Sequence, residues 1–140
     1  MGSSEKVTQL RSVPLFEGCT RHEVEAISRA AKEVRHRKGH VIVREGESGI
    51  GFFLILEGEA EVTIGGKRRA KLGPGDFFGE LSLLDQGTRT ATVAALTPIR
   101  LLGLTAWVFR GLVEQHPTIA LNMLRVVAER LRRASSPISA

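Results

Sequence analysis

The feature that most restricts the fold of this chain is a series of short strand patterns, separated by glycine turns, between residues 39 and 105. The segment HVIVREGE predicts a short strand that ends in a turn at Gly46. Residues 52–56 form a continuous apolar run, as in a strand buried on both faces. Residues 60–64 alternate apolar and polar side chains, and Gly65-Gly66 predicts a hairpin turn after them. Short strands with frequent turns favour an antiparallel sandwich or barrel over a parallel sheet.

Helical patterns flank this central region on both sides. Thr20 and Glu23 have the spacing of a capping box, and the residues after them predict a helix over 20–34. Residues 105–116 predict a short helix with Thr105 as its cap, and Pro117 fits the first turn of another. The last helix carries an apolar stripe that consists of Leu121, Leu124, Val127, Ala128 and Leu131. The prediction is an α+β domain over residues 10–134, with disordered tails at 1–9 and 135–140.

Cysteine usage, hydropathy and charge limit the class of protein. Cys19 is the single cysteine of 140 residues, which excludes an internal disulfide and a four-thiolate zinc site. It fits a reducing compartment, and we expect the cytoplasm. No apolar run is long enough to span a bilayer, so we expect no membrane partner. The formal net charge of +5 favours anionic partners. Lys67, Arg68 and Arg69 follow the hairpin turn, where we expect a solvated sheet edge.

The segment FGELSLLDQGTRTATV carries the most specific chemistry of the chain. Gly79 lets the backbone approach a ligand closely, and free N–H groups at the start of a following short helix attract phosphate. Arg89 has the fork geometry that pairs with a phosphate, and Glu80 has the acceptors that bind sugar hydroxyls. Together these residues suit a ribose-phosphate. Taken alone, Glu80 and Arg89 also fit a structural ion pair or two surface charges.

The same segment, extended as FGELSLLDQGTRTATVAAL, resembles the phosphate-binding cassette of the cyclic nucleotide-binding domain family. That family includes the catabolite activator protein, cyclic-nucleotide-dependent kinases and cyclic-nucleotide-gated channels. KGHVIVREGESGIGFFLILEGEAEV resembles the family's paired strands, and LRSVPLFEGCTRHEVEAIS resembles its N-terminal helical segment. The resemblance covers residues 10–133. It implies an antiparallel β jelly roll, a double-stranded β-helix, flanked by an N-terminal helix and two C-terminal helices.

The resemblance also implies a role for each matching residue. Glu80 matches the residue that holds the ribose 2′-hydroxyl, and Arg89 matches the arginine that pairs with the cyclic phosphate. The phosphate turn corresponds to Gly79, Leu81 and Ser82. Thr90 matches a position where threonine can bridge phosphate and a guanine amino group, which is a hint of cyclic GMP. Arg130 on the last helix resembles an arginine that caps the base. We favour cyclic AMP as the ligand because the family uses it most widely, with cyclic GMP as the second candidate.

The implied function is a regulatory sensor whose C-terminal helices move on binding and act on an unknown effector. Thr88 stands where many members have proline. No helix-turn-helix follows the last helix, so we expect no direct DNA binding by this chain. The sensor half of a DNA-binding regulator and a ligand-free interaction module remain alternatives, and the apolar stripe of the last helix also fits a homodimer. A cupin-type enzyme would need clustered metal ligands, whereas His22, His36, His40 and His116 are scattered, so we expect neither catalysis nor a metal site.

Overall fold

The computed structural model describes residues 3–13, 16–47, 51–79 and 88–135. The strands are β1 (Lys32–His36), β2 (Val41–Val43), β3 (Gly51–Glu57), β4 (Ala60–Ile64), β5 (Lys67–Leu72), β6 (Phe77–Phe78), β7 (Thr92–Ala95) and β8 (Ile99–Thr105). The helices are α1 (Ser3–Arg11), α2 (Arg21–Ala30), α3 (Ala106–Gln115) and α4 (Pro117–Ser135). The chain divides into a β unit, residues 29–109, and a helical unit, which comprises residues 1–28 and 110–140.

The β unit contains two four-stranded sheets, with strand orders β1-β8-β3-β6 and β2-β7-β4-β5. Every pairing in both sheets is antiparallel. This arrangement confirms the predicted antiparallel β jelly roll and the α+β class. Sequence neighbours such as β7 and β8 lie in different sheets, so the chain crosses repeatedly between the two layers.

The core of the β unit consists of side chains from both sheets. Its members are Ile55 of β3, Ala60 of β4, Phe78 of β6, Val93 and Ala95 of β7, and Ile99 and Leu101 of β8. The alternation that the sequence shows in β4 places Ala60 and Val62 against this core. The apolar run of β3 is buried at Phe52 and at residues 54–56, as its continuous pattern predicts.

The β4–β5 hairpin turns at Gly65 and Gly66, whose φ angles are +60° and +79°. Both angles lie in the left-handed region, which a two-residue hairpin turn of this kind requires. The predicted turn is therefore confirmed. Residues 67–71 of β5 are exposed, and β5 is the last strand in its sheet among the described residues. The expected solvated edge is confirmed as well.

The first residues of the chain differ from the expectation of a disordered tail over residues 1–9. Ser3–Arg11 is an α-helix, in which Val7 and Leu10 are buried. Lys6 Nζ donates a hydrogen bond of 3.0 Å to the carbonyl of Ser28 in α2. The polar composition of residues 1–7 gives no sign of this helix, because Val7 finds its apolar partner on the same helix face at i+3, in Leu10.

The helix that begins after Thr20 is shorter than predicted. Its capping box is confirmed, since the Glu23 N–H donates to Thr20 Oγ1 at 3.1 Å and the Thr20 N–H donates to Glu23 Oε1 at 2.8 Å. The helix ends at Ala30, however, and Val34 lies in β1, opposite Leu101 of β8. The helical spacing of residue 34 is coincidental, because pairing along five residues of β8 satisfies the backbone of β1 instead.

The two C-terminal helices carry one correction and one confirmation. Thr105 is the last residue of β8, and its Oγ1 is buried without a hydrogen-bond partner among the described residues, so it does not cap α3. Pro117 begins α4, as predicted. The buried side of α4 contains Ile119, Asn122 and Met123. Asn122 Nδ2 donates to the carbonyl of Glu17.

Candidate functional site

A cavity of about 310 Å³ opens in the β unit beside β2. Its described lining consists of Val41, Ile42, Val43, Arg44, Glu47, Phe53 and Arg89. One wall is therefore apolar and comes from β2 and β3, whereas the other carries charged side chains. Phe53 is held by a stacked contact with Phe78 of β6, with 5.3 Å between the ring centroids. A cavity of this size is large enough to admit a small molecule.

Arg89 is held in this cavity by its own backbone. Its N–H donates to the carbonyl of Glu47 at 2.9 Å, and its carbonyl accepts from the N–H of Gly46 at 2.9 Å. These two bonds extend the antiparallel contact of β2 with β7 beyond the paired residues of the two strands. The position of Arg89 is thus set by a segment more than forty residues earlier in the chain.

The Arg89 side chain is buried, with 8% of its surface exposed. Arginine is rarely buried to this extent unless its charge is satisfied, because removing a guanidinium from water is costly. Nη1 donates a hydrogen bond of 2.9 Å to the carbonyl of Gly51, the first residue of β3. This bond aims the planar end of the side chain along the start of β3 and fixes its orientation.

Gly79 leaves the space that the guanidinium occupies. Its φ is +91°, and a Cβ at this position would lie 2.5 Å from the Gly51 carbonyl oxygen and 2.8 Å from Arg89 Nη1. Both distances are shorter than any real Cβ contact, so a side chain here would displace a backbone carbonyl or the arginine. We refer to Gly51, Gly79 and Arg89 as the arginine cradle. The cradle needs glycine at residue 79 both for conformation and for space.

The charged residues at the rim of the cavity differ from Arg89 in exposure. Arg44 and Glu47 form an ion pair of 3.7 Å, and their side chains are 63% and 61% exposed. A pair so exposed contributes little to stability. The described lining therefore combines one buried arginine, one exposed arginine and one exposed carboxylate. This charge distribution suits an anionic ligand whose charged group lies at the buried end.

The second buried arginine of the β unit, Arg100, has a structural role. Its Nη1 and Nη2 lie 2.8 Å from carboxylate oxygens of Glu33 and Glu57, and its side chain is 4% exposed. The hydrogen bond from Arg100 holds the pKa of Glu33 below its ordinary value, despite an opposing effect of burial. This cluster ties β8 to β1 and β3 on the sheet that does not contain β2.

The cysteine and two histidines outside the cavity are buried or stacked. Burial raises the pKa of the Cys19 thiol, which disfavours the reactive thiolate. The rings of His36 and His40 stack with centroids 3.9 Å apart. Within the described ranges, no three side chains of histidine, cysteine, aspartate or glutamate lie close enough together to hold a metal ion.

The structure describes four of the seven residues that the sequence predicts for the site. Gly79 and Arg89 lie together in the cradle, and Thr90 is exposed next to Arg89. Arg130 lies half-buried on α4 in the helical unit. Glu80, Leu81 and Ser82 lie outside the described residues. The ligand-binding roles of all seven residues stay predictions.

Sequence reasoning missed the residues that complete the cavity. Gly51 carries no signal in the sequence, because it contributes a backbone carbonyl that accepts from Arg89, and a carbonyl is available at every residue. The apolar wall formed by residues 41–43 was predicted as a strand but not as part of a site. Arg44 and Glu47 carried no signal, because exposed charges next to a turn are common.

The family model for "Cyclic nucleotide-binding domain" matches residues 33–116. The CRP-like cAMP-activated global transcriptional regulator of Mycobacterium tuberculosis is 30% identical over 134 residues, which covers 89% of this chain and 58% of the regulator. The structure of the Catabolite Activator Protein of Thermus thermophilus has a TM-score of 0.79 and 35% identity, and the match covers 86% of this chain and 59% of that one. This chain therefore spans less than two thirds of these two relatives.

A third match is to a single domain. The N-terminal domain of a transcriptional regulator from Streptomyces coelicolor A3(2) has a TM-score of 0.74 and 31% identity, and the match covers 94% of this chain and 98% of that domain. The similarity thus extends over almost the whole of one independently solved domain.

In the part of the chain that the structure describes, no helix is long and apolar enough to cross a membrane.

Proposed function

The chain belongs to the cyclic nucleotide-binding domain family, and we propose that it is a regulatory domain which binds a cyclic mononucleotide in the cavity beside Arg89. The observation that carries this proposal is the arginine cradle. A buried guanidinium is fixed by a backbone carbonyl and is given space by a glycine whose φ is +91°. Such a group has the planar fork that pairs with a phosphate through two parallel hydrogen bonds.

The remaining ligand contacts follow from the matched family positions. We assign the ribose 2′-hydroxyl to the Glu80 carboxylate and the cyclic phosphate to Arg89. We also assign Gly79, Leu81 and Ser82 to the phosphate turn, in which backbone amides would donate to the phosphate. The apolar wall of β2 is the surface in the cavity against which a base or ribose loses contact with water. Arg130 on α4 is assigned to cap the base.

We propose cyclic AMP as the favoured ligand and cyclic GMP as the second candidate. The name of the Mycobacterium tuberculosis relative, which is cAMP-activated, supports the first choice. Thr90 supports the second, because its hydroxyl is exposed directly beside Arg89 and could bond a guanine amino group as well as phosphate. Thr90→Ala should therefore reduce affinity for cyclic GMP more than for cyclic AMP. An equal effect on both nucleotides would assign the hydroxyl to the phosphate alone.

The output is proposed to pass through the C-terminal helices. The stripe of α4 that the sequence identifies is exposed in the structure, with exposed fractions of 61% for Leu121, 60% for Leu124 and 67% for Leu131. Large apolar side chains in one row on a helix are suited to a second copy of this chain or to an effector. We propose that nucleotide binding changes how this stripe is presented. The effector itself is unknown. We propose that the chain works in the cytoplasm, and we propose neither catalysis nor a membrane partner for it.

A second candidate is the sensor half of a DNA-binding transcription regulator. It is favoured by the match to the Streptomyces coelicolor domain and by the 58% coverage of the Mycobacterium tuberculosis regulator. Both candidates share the nucleotide site, and they differ in what the helices control. Binding of this chain alone to DNA in a sequence-dependent manner would contradict the expectation that it senses ligand without contacting DNA.

Calorimetric titration of protein that has been denatured and refolded tests the proposal, since refolding removes any copurified nucleotide. We expect binding of cyclic AMP or cyclic GMP at micromolar concentration or below. Arg89→Ala should weaken it by about 2–5 kcal/mol, or about thirtyfold to several thousandfold, because a buried phosphate would lose its partner. Arg44→Ala is the matched control, since Arg44 lines the same cavity but is exposed. Equal effects of the two substitutions, or no binding by the refolded protein, would refute the assignment.

A further inference from the structure

The exposed edge of the β2-β7-β4-β5 sheet carries a concentrated positive charge that the nucleotide site does not use. Lys67, Arg68, Arg69 and Lys71 lie on β5, and all four are exposed. We call these four residues the basic edge. Lys71 pairs with Glu59 at 3.3 Å. Within the described chain, the other three residues form no ion pair, so their charges face solvent.

The basic edge is held in a defined position. β5 pairs with β4 over five residue pairs, and the hairpin turn is fixed by a hydrogen bond of 3.0 Å from the Gly65 N–H to Glu45 Oε1. The Glu45 N–H in turn donates to Thr92 Oγ1 at 3.0 Å. The turn is thus tied to the residues around β2 and β7. A partner that binds here pays little for ordering the backbone.

An apolar side chain lies beside these charges. Ile64, the last residue of β4, is 39% exposed and pairs with Lys67 across the hairpin. Charged side chains protect a sheet edge from aggregation, and here three consecutive cations stand next to an exposed isoleucine. This combination resembles the mixture of charged rim and apolar contact in protein interfaces.

The geometry points to an acidic segment of a partner protein as the occupant of the basic edge, and we propose that β5 is an interaction surface for such a segment. The register of the β4–β5 pairing shifts between Val62 and Thr63. Val62 pairs with Ala70 and Thr63 pairs with Arg68, so Arg69 has no partner position on β4. Such a bulge interrupts the ladder and disfavours the addition of a further strand. Recognition must therefore come from side chains. Arg68 and Arg69 offer planar forks that match carboxylates.

Two other polyanions fit the basic edge less well. Residues 67–71 extend over about 13 Å of strand, and they present four cations. A duplex-binding protein holds its affinity at physiological salt through roughly six to ten phosphate contacts, which is more than this edge supplies. An amphipathic element that associates with an anionic membrane inserts a face of large apolar side chains into the lipid, whereas Ile64 is the one large exposed apolar side chain among the described residues of this edge. Charge and shape together favour carboxylates on a protein.

Fluorescence anisotropy with a labelled peptide of alternating glutamate and leucine tests the proposal on the full chain at about 0.15 M salt. We expect saturable binding of the peptide to the native chain. A single variant that combines Lys67→Glu, Arg68→Glu and Arg69→Glu should bind the peptide about tenfold or more weakly. The matched control is a variant with Arg125→Glu, Arg132→Glu and Arg133→Glu, which changes net charge equally at exposed positions of α4. Ile64→Ser should weaken binding without changing the charge.

Four outcomes would overturn the proposal. Equal loss of binding in the two charge-reversal variants would indicate general attraction by the net charge. Absence of binding by the native chain would remove the surface altogether. If the basic edge is required for binding of a DNA duplex or of anionic vesicles, and that binding is tighter than binding of the peptide, the partner belongs to another class. Concentration-dependent self-association abolished by the same variant would assign a second copy. Nucleotide titration of each variant reports separately on the cavity, so failure of one proposal is distinguishable from failure of the other.

Discussion

Gly79→Ala should remove nucleotide binding through steric displacement of Arg89. The added Cβ would lie 2.5 Å from the Gly51 carbonyl oxygen and 2.8 Å from Arg89 Nη1, so at least one of these groups must move. A non-glycine residue in the left-handed region costs about 1–2 kcal/mol. Loss of the charge-assisted bond from Arg89 to Gly51 adds about 1.5–3 kcal/mol. We therefore expect the free energy of unfolding to fall by about 3–5 kcal/mol, and nucleotide affinity to fall at least about thirtyfold.

Three other glycines separate the causes of this effect. Gly39 has a φ of +89° and open space within 4 Å, so Gly39→Ala should cost only the conformational part, with unchanged affinity. Gly58 has a φ of +94°, and its Cβ would collide with the Pro98 carbonyl, so Gly58→Ala should destabilise the fold without altering affinity in the folded fraction. At Gly51, a Cβ would approach Arg89 Nη2 to an ordinary 3.8 Å, so Gly51→Ala should bind nucleotide normally.

The assays are urea unfolding followed by circular dichroism and calorimetric titration with cyclic AMP and cyclic GMP, at a temperature where each variant is folded. If Gly79→Ala binds nucleotide as tightly as Gly39→Ala, the cradle does not position the phosphate-binding group. If Gly79→Ala is too unstable to titrate, Arg89→Lys keeps the charge but loses the planar fork. Affinity unchanged in that variant would also refute the reasoning.

Three further substitutions test the fold. Leu101→Ala removes a fully buried side chain from the core and should lower the free energy of unfolding, measured in urea, by about 2–5 kcal/mol. A change below about 0.5 kcal/mol, which is typical of substitutions at exposed positions, would place Leu101 outside the core. Thr20→Ala removes the capping-box hydroxyl and should cost about 0.5–2 kcal/mol by thermal unfolding, with no change in nucleotide affinity. Burial, and to a smaller extent the nearby His40, lower the pKa of His36 from its ordinary value of 6.5. Because the unfolded chain then binds a proton at a higher pH than the folded chain, the free energy of unfolding should fall as the pH drops below about 6.5. His36→Gln should reduce that loss in urea unfolding at about pH 7.5 and about pH 5.5, whereas His22→Gln, on the exposed face of α2, should leave it as in the native chain.

Local patterns predicted most of the elements because the forces that create them act over a few residues. The capping box at Thr20 and Glu23, the hairpin at Gly65 and Gly66 and the start of α4 at Pro117 are all set by their immediate neighbours. The errors occur where distant partners decide. Val34 continues a helical period in the sequence, but β8 provides a strand partner more than sixty residues later.

The N-terminal helix illustrates the same limit in another way. Its sequence is polar, and an isolated helix of nine residues is marginal in water. Burial of Val7 and Leu10 and the bond from Lys6 to the Ser28 carbonyl stabilise it in the folded chain. None of these contacts is visible in the local pattern. A tail that looks disordered by composition is therefore part of the helical unit.

The candidate site divides along the same line between local and distant determinants. The cassette motif identifies Arg89 as the cation and Gly79 as the permissive residue, because both belong to one short stretch of sequence. The position and direction of the Arg89 side chain, however, depend on distant residues. Residues 46–47 hold the Arg89 backbone, and the Gly51 carbonyl accepts its side-chain hydrogen bond. These partners lie about forty residues earlier in the chain, and the strands β3 to β6 are located in that interval. A copy of the cassette in an unfolded peptide would consequently carry the charge without the orientation, so phosphate affinity should appear only when β2, β3 and β7 have assembled.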